Sequence, residues 1–148
     1  MQLLKIYAVG FIYGRMIASI TTTSAALICV LTVCYLSFIK AGKLGILYRT
    51  FGIRGDDIFH VLSFILLAFL LRIMFSTSLY RPAIKNPRIW GAWVTLGISL
   101  FIESIQIVMP TRHASLLDII LHASGIAIFF VADMVIENIT RRRYGNNP

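Results

Sequence analysis

The chain has 148 residues, of which 58% are hydrophobic and 14% are charged, and its mean hydropathy is +0.83. This composition excludes an ordinary soluble domain, and the lipid-spanning segments leave too few residues for a second globular domain. The net charge of +8 would suggest nucleic acid in a soluble protein, but here the lysines and arginines flank apolar runs, where they meet anionic lipid headgroups. We therefore predict an all-α, single-domain membrane protein whose partners include lipids and exclude nucleic acid.

The apolar runs predict four transmembrane helices, at residues 16–39, 58–80, 89–109 and 115–139. Each run reaches the roughly 20 residues that a helix needs to cross a bilayer. The length of the first run favours an uncleaved helix over a cleaved signal peptide. The mixed segment before it, residues 1–15, predicts either an interfacial helix or an early part of the first span.

The lysines and arginines of the connections orient this predicted bundle. The N-terminal segment, the second loop and the C-terminal tail share one side of the membrane and carry eight of them. The first and third loops share the other side and carry five. Because basic residues favour the cytoplasmic side, both termini are predicted to be cytoplasmic.

One basic residue, Arg72, lies inside the second predicted span. Asp133 falls at a similar depth in the fourth span, and we predict that the two residues pair across helices, because a charge within lipid needs a partner. The alternative is that Arg72 snorkels to the interface while Asp133 bonds to neighbours or water. Glu137 and Arg141, at i and i+4, are predicted to form a solvated pair at the helix end.

The polar residues of the outward side form three pairs within their helices. The members of each pair are three or four positions apart, so they lie on one helix face. The pairs are Asp57 and His60, Glu103 and Gln106, and Asp118 and His122. At 1.5 Å per residue, His60 lies roughly 3 Å, Glu103 roughly 8 Å and His122 roughly 9 Å below the outer boundary. We therefore predict that these residues share one pocket, together with Arg112 and Ser115.

Several of these residues belong to a longer sequence pattern. The pattern consists of residues 57–60 (DIFH), 103–106 (ESIQ) and 110–118 (PTRHASLLD), followed by Gly125. In combination it resembles the VanZ-like family of small bacterial membrane proteins. Where that family typically carries an asparagine before the glycine, this chain has His122. The resemblance implies a multi-pass protein of the bacterial plasma (inner) membrane and, through the family's founding member, a link with low-level resistance to the glycopeptide teicoplanin.

Three interpretations of the outward polar set stay open. It is a network that pins the helices together, in which the planar guanidinium of Arg112 pairs with Glu103 or Asp118. Alternatively it is a pocket for an envelope ligand, because ionisable residues within a membrane often mark sites. The third interpretation is catalysis, in which Glu103 exchanges protons with His60 or His122. No metal and no cofactor is predicted, because the histidines come from separate segments without the spacing of a zinc motif.

The leading hypothesis is a small envelope protein that binds a cell-wall, glycopeptide or exopolysaccharide component or assists in its handling. One alternative is an accessory subunit of a larger membrane complex. Another is a membrane-embedded hydrolase or transferase that acts on a lipid-linked glycan, so the sequence leaves open whether the protein is an enzyme. Transport is disfavoured, because the polar residues gather at one end and no inverted repeat is visible.

Overall fold

The computed structural model describes residues 2–38, 55–77, 84–109 and 115–144. Within these ranges the chain forms four helices. They are α1 (Gln2–Phe38), α2 (Gly55–Thr77), α3 (Pro87–Val108) and α4 (Leu116–Tyr144). The all-α fold class predicted from the sequence is therefore confirmed.

Each helix contains a stretch long and apolar enough to cross a membrane. These stretches are Ile12–Phe38, Asp57–Thr77, Pro87–Val108 and Leu116–Arg143, with mean hydropathies of 2.0, 2.4, 1.5 and 2.2. The shortest has 21 residues, and at 1.5 Å per residue it extends about 31 Å, which matches the hydrocarbon core of a bilayer. The protein is thus a multi-pass membrane protein, with four membrane-spanning helices in the described ranges.

The mixed segment at the start of the chain is helical and runs into the first span without a break. Residues 2–15, for which the sequence left two alternatives, belong to the same uninterrupted helix as the apolar run that follows. The whole of α1 has 37 residues, and at 1.5 Å per residue it is about 55 Å long, well beyond the thickness of a bilayer core. Part of α1 therefore extends beyond the lipid.

Helix α2 is the central element, because it packs against each of the other three helices. The hydroxyls of Thr22 and Thr77 lie 2.8 Å apart, while Val33 packs with Phe64, so α1 and α2 run antiparallel. The fully buried Phe64 and Leu67 of α2 form the core with Ala26 and Val33 of α1 and with Ile102 of α3. The outer faces of the helices are apolar and exposed, as a bilayer requires.

Two glycines let the backbone of α2 approach its neighbours closely. A Cβ atom on Gly125 of α4 would lie 2.6 Å from the carbonyl oxygen of Val61, and one on Gly91 of α3 would lie 3.1 Å from the backbone nitrogen of Arg72. Small residues at helix interfaces are typical of membrane bundles, where close packing replaces the hydrophobic effect. The contact at Gly125 holds together the helix segments that carry the histidines.

Helix α3 begins earlier than the sequence predicts. Asn86 caps it, with its side-chain oxygen accepting the backbone N–H of Ile89, and Pro87 occupies the first turn. Proline suits that position because its missing N–H would have no partner within the helix. The early start places Arg88 inside the helix, facing α4.

Candidate functional site

The polar side chains of the bundle gather at two ends. At the first end, where α1 and α3 finish and α2 and α4 begin, lies a group that we call the histidine cluster. It comprises His60, Ser99, Glu103, Gln106 and His122. At the opposite end lies the arginine cluster, which comprises Arg72, Arg88, Asp133, Glu137 and Arg141.

His122 lies at the centre of the histidine cluster and is fully buried. Its Nε2 atom is 2.8 Å from Nδ1 of His60, and its Nδ1 atom is 2.8 Å from the hydroxyl oxygen of Ser99. A neutral imidazole donates from one ring nitrogen and accepts at the other, so all hydrogen bonds of this chain point the same way. Either Ser99 donates toward His60 through His122, or His60 donates toward Ser99. This series of hydrogen bonds can therefore transmit a proton displacement from Ser99 of α3 through His122 of α4 to His60 of α2.

The ring of His122 is held in place by Phe64. The two rings stack with their centroids 3.9 Å apart and their planes at 21°. Phe64 is itself fully buried against Val33 and Ile102. Because the apolar core fixes this stack, the direction of both ring nitrogens of His122 is fixed as well.

Glu103 links the end of α3 to the start of α4. It is only 4% exposed, its Oε2 atom accepts the backbone N–H of Ser115 at 3.3 Å, and its Oε1 atom lies 4.0 Å from Nδ1 of His122. The carbonyl of Ser115 accepts the first N–H groups of α4, from Asp118 and Ile119. The carboxylate thus lies beside a helix N-terminus, where a negative charge is favoured. Ser115 takes part through its backbone.

Gln106 connects the cluster to α1. It is 1% exposed and donates from Nε2 to the carbonyl oxygen of Ser37 at 3.0 Å. The Oε1 atom of Gln106 and the hydroxyl of Ser37 are buried and have no hydrogen-bond partner among the described residues. A buried polar atom without a partner is costly, so these two atoms are candidates to bond to a ligand.

The structure brings together only part of the outward polar set predicted from the sequence. His60, Glu103 and His122 meet directly, and Gln106 and Ser115 adjoin them. Two other members, the half-buried Asp57 and Asp118, make no side-chain hydrogen bond or ion pair with any residue in the described ranges. Arg112 falls outside the described residues. Within the described part of the chain, no three His, Cys, Asp or Glu side chains are arranged to hold a metal ion.

Sequence reasoning missed Ser99 and Ser37. A serine in an apolar run barely changes the hydropathy, so neither residue interrupts its predicted span. A periodic signal was nonetheless present in α3, because Ser99, Glu103 and Gln106 follow one another at intervals of four and three. That spacing is the repeat of a single helix face, and all three side chains are buried.

The arginine cluster is a chain of ion pairs in which arginines and carboxylates alternate. Arg72 Nε lies 2.8 Å from Asp133 Oδ1, so the two residues paired from the sequence lie side by side. Arg88 Nε lies 2.5 Å from Asp133 Oδ2, and Arg88 also pairs with Glu137. Arg141 Nη2 lies 2.6 Å from the other oxygen of Glu137. The structure therefore adds Arg88 to both pairs that the sequence suggested.

A known family model matches most of the chain. The model of the family described as VanZ/LLP1 matches residues 13–137. This range includes α2 and α3 whole and most of the apolar stretches of α1 and α4. The comparison with curated proteins and the comparison with solved structures give no match.

Proposed function

The chain belongs to the VanZ/LLP1 family, and from this membership we propose that it is a small bacterial plasma-membrane protein with an outward-facing polar pocket. The pocket binds a cell-wall, glycopeptide or exopolysaccharide component or assists in its handling. The observation that carries the proposal is the buried hydrogen-bonded chain Ser99–His122–His60 with Glu103 beside it.

The energetic cost of the histidine cluster supports a binding role. Moving polar and ionisable groups into a bundle within lipid costs free energy, and interhelical polar contacts return only about 0.6 kcal/mol each on average. Two imidazoles, a carboxylate and an amide are more than four helices need for cohesion. Their mixture of donors and acceptors matches the hydroxyl and amide groups of glycans and peptides.

The orientation of the bundle supports an envelope ligand. The histidine end lies opposite the end that carries most of the lysines and arginines, so the positive-inside rule directs it away from the cytoplasm. The buried oxygens of Gln106 and Ser37 that have no hydrogen-bond partner among the described residues lie at this end. A polar group that enters from the outer side would meet them before it meets the histidines.

A second candidate function is a membrane-embedded hydrolase or transferase for a lipid-linked glycan. It is favoured by the hydrogen-bonded histidine pair, because a general acid and base pair needs groups that can pass a proton between them. Glu103 Oε1, at 4.0 Å from His122 Nδ1, is close to that role but lies beyond direct hydrogen-bond distance. Turnover of a lipid-linked glycan by the purified protein would distinguish this function from binding alone.

The test uses Glu103→Gln, which keeps the shape of the side chain and removes its charge. Cells that express the chain are compared for teicoplanin susceptibility, and the amount of protein in the membrane is measured in parallel. We expect Glu103→Gln and Arg112→Gln to abolish any protection at normal abundance. The control is Ser104→Ala, because Ser104 is exposed on the same helix and bonds only to the carbonyl of Leu100.

Two outcomes would contradict the pocket. If Glu103→Gln protects as well as the parent chain, the carboxylate has no part in function. If the variant protein fails to accumulate, the histidine cluster serves to hold the helices together. Stoichiometric co-purification of another membrane protein in mild detergent would instead favour an accessory subunit.

A further inference from the structure

A polar cavity opens at the arginine end of the bundle. It has a volume of about 520 Å³ and lies between the last turns of α2, the start of α3 and the last turns of α4. Its lining includes four cations, Arg72, Lys85, Arg88 and Arg141, and one carboxylate, Glu137. The cavity lies at the opposite end of the molecule from the histidine cluster.

The charges around this cavity do not balance. Asp133 is the second carboxylate of the cluster and pairs with Arg72 and Arg88. Four cations against two carboxylates leave an excess of two positive charges. A cluster that served only to lock helices together would need no such surplus, because an unpaired charge near lipid raises the cost of the bundle.

The hydrogen-bonding capacity of the cluster is also in surplus. All four oxygens of Asp133 and Glu137 already meet a guanidinium. Arg72 meets Asp133 through Nε, and both of its Nη groups make no hydrogen bond with the described residues. Arg141 uses Nη2 for Glu137, and the exposed Lys85 forms no ion pair within the described ranges. The cavity therefore offers several N–H donors and no uncommitted carboxylate oxygen.

A phosphate group fits this combination of charge, donors and depth. Guanidinium and ammonium groups bind phosphate oxygens through charge-assisted hydrogen bonds. The cavity lies at the ends of membrane spans, which is the level of lipid headgroups, and basic pockets between helices at that level hold anionic headgroups. We propose that this cavity binds the phosphate of an anionic phospholipid.

Native mass spectrometry of the full chain in detergent tests the proposal. The protein is titrated with phosphatidylglycerol and with phosphatidylcholine of the same acyl chains, and the retained lipid is counted. We expect preferential retention of phosphatidylglycerol. The double variant Lys85→Ala/Arg141→Ala should weaken that retention about 25-fold, because each of the two basic residues near the headgroup contributes about a fivefold effect.

The matched control is Arg142→Ala/Arg143→Ala, which removes the same charge from the same end without touching the cavity lining. We expect this control to retain phosphatidylglycerol like the parent chain. Equal losses in both double variants, or unchanged retention in Lys85→Ala/Arg141→Ala, would overturn the site. Circular dichroism spectra of both variants show whether the helices persist, so that a loss of fold cannot be taken for a loss of binding.

A further titration with inorganic phosphate distinguishes the two sources of the bound phosphate group, which are a phospholipid headgroup and free phosphate. If millimolar phosphate leaves phosphatidylglycerol bound, the lipid is supported as the ligand. If phosphate displaces it and binds without lipid in a manner that depends on Lys85 and Arg141, the phosphate site stands and the lipid is overturned as its source. Neither result bears on the histidine end.

Discussion

Asp133 has two guanidinium partners, because each of its oxygens meets a different arginine. Its side chain is 9% exposed, and its partners Arg72 and Arg88 are 32% and 15% exposed. Removing this carboxylate leaves Arg72 without its counter-charge, whereas Arg88 keeps its pairing with Glu137. The cost is that of an unpaired charge near lipid rather than that of one hydrogen bond.

We expect Asp133→Asn to lower the free energy of unfolding by about 1–3 kcal/mol, somewhat less than for a fully buried pair because Arg72 is partly solvated. The double variant Arg72→Gln/Asp133→Asn should lose less than the sum of the two single changes, because the unpaired charge is gone. Thermal unfolding in detergent measures the cycle, with Arg143→Gln as the control outside the cluster. Additive losses would show that Arg72 and Asp133 are not coupled.

At the scale of residues, the sequence predicted Arg72 as a partner of Asp133 but did not predict Arg88. Arg72 and Asp133 were paired because their depths in two predicted spans agree. The predicted third span begins at residue 89, which leaves Arg88 in the preceding loop. The Asn86 cap lets Pro87 start the helix instead of interrupting it, and that local hydrogen bond does not show in the hydropathy.

At the scale of helices, the close packing of α2 against α4 depends on Gly125, which has no side chain. A Cβ on Gly125 would lie 2.6 Å from a backbone oxygen of α2. Backbone cannot rotate away from such a contact as a side chain can, so the helices would have to separate. Separation there would lengthen the hydrogen bond between His60 and His122, which is 2.8 Å long.

We therefore expect Gly125→Ala to destabilise the protein by about 1–3 kcal/mol, the usual cost of overpacking. Gly97→Ala is the matched control, because a Cβ there meets nothing within 4 Å. Alanine favours a helix over glycine by about 0.5–1 kcal/mol, so this control should be neutral or stabilised. Thermal unfolding of both variants in the same detergent measures the difference, and equal midpoints would contradict the close approach.

The start of α2 shows why the histidine pair could be predicted only in part. The sequence placed that span from residue 58, which puts His60 about 3 Å along the helix. The helix begins at Gly55, so His60 lies about 7.5 Å along it. This shift brings it level with His122, which lies about 9 Å from the start of α4 by the same rise. Hydropathy does not detect the first turn, because Gly55, Asp56 and Asp57 are not apolar.

At the scale of the whole molecule, the alternating spans require the two polar clusters to lie at opposite membrane surfaces. The four spans, their number and their apolar character followed directly from the sequence, because lipid imposes a length and a composition on every crossing. Which helices pack against each other did not follow from the sequence. The central position of α2 depends on glycines and on paired side chains that a single-helix pattern cannot assign to neighbours.

The predicted orientation can be tested with single cysteines in a background of Cys29→Ser and Cys34→Ser. In intact cells we expect a membrane-impermeant thiol reagent to label Asp57→Cys, in the first turn of α2 at the histidine end, and Arg112→Cys, which precedes α4 in the sequence. Lys85→Cys, at the arginine end, should react only after the membrane is permeabilised. Labelling of Asp57→Cys and Arg112→Cys from opposite sides would remove the proposed outer pocket, and labelling of Lys85→Cys alone in intact cells would invert the topology.

The pairing of Arg72 with Asp133 also constrains the order of biosynthesis. Arg72 enters the membrane with the second helix, whereas its carboxylate is made two helices later. An arginine within a span raises the cost of insertion when it has no partner, up to about 2.5–3.5 kcal/mol at the centre of the span. A nascent chain halted before α4 would hold α2 only loosely, so the synthesis and insertion of α4 stabilise a crossing that was made earlier.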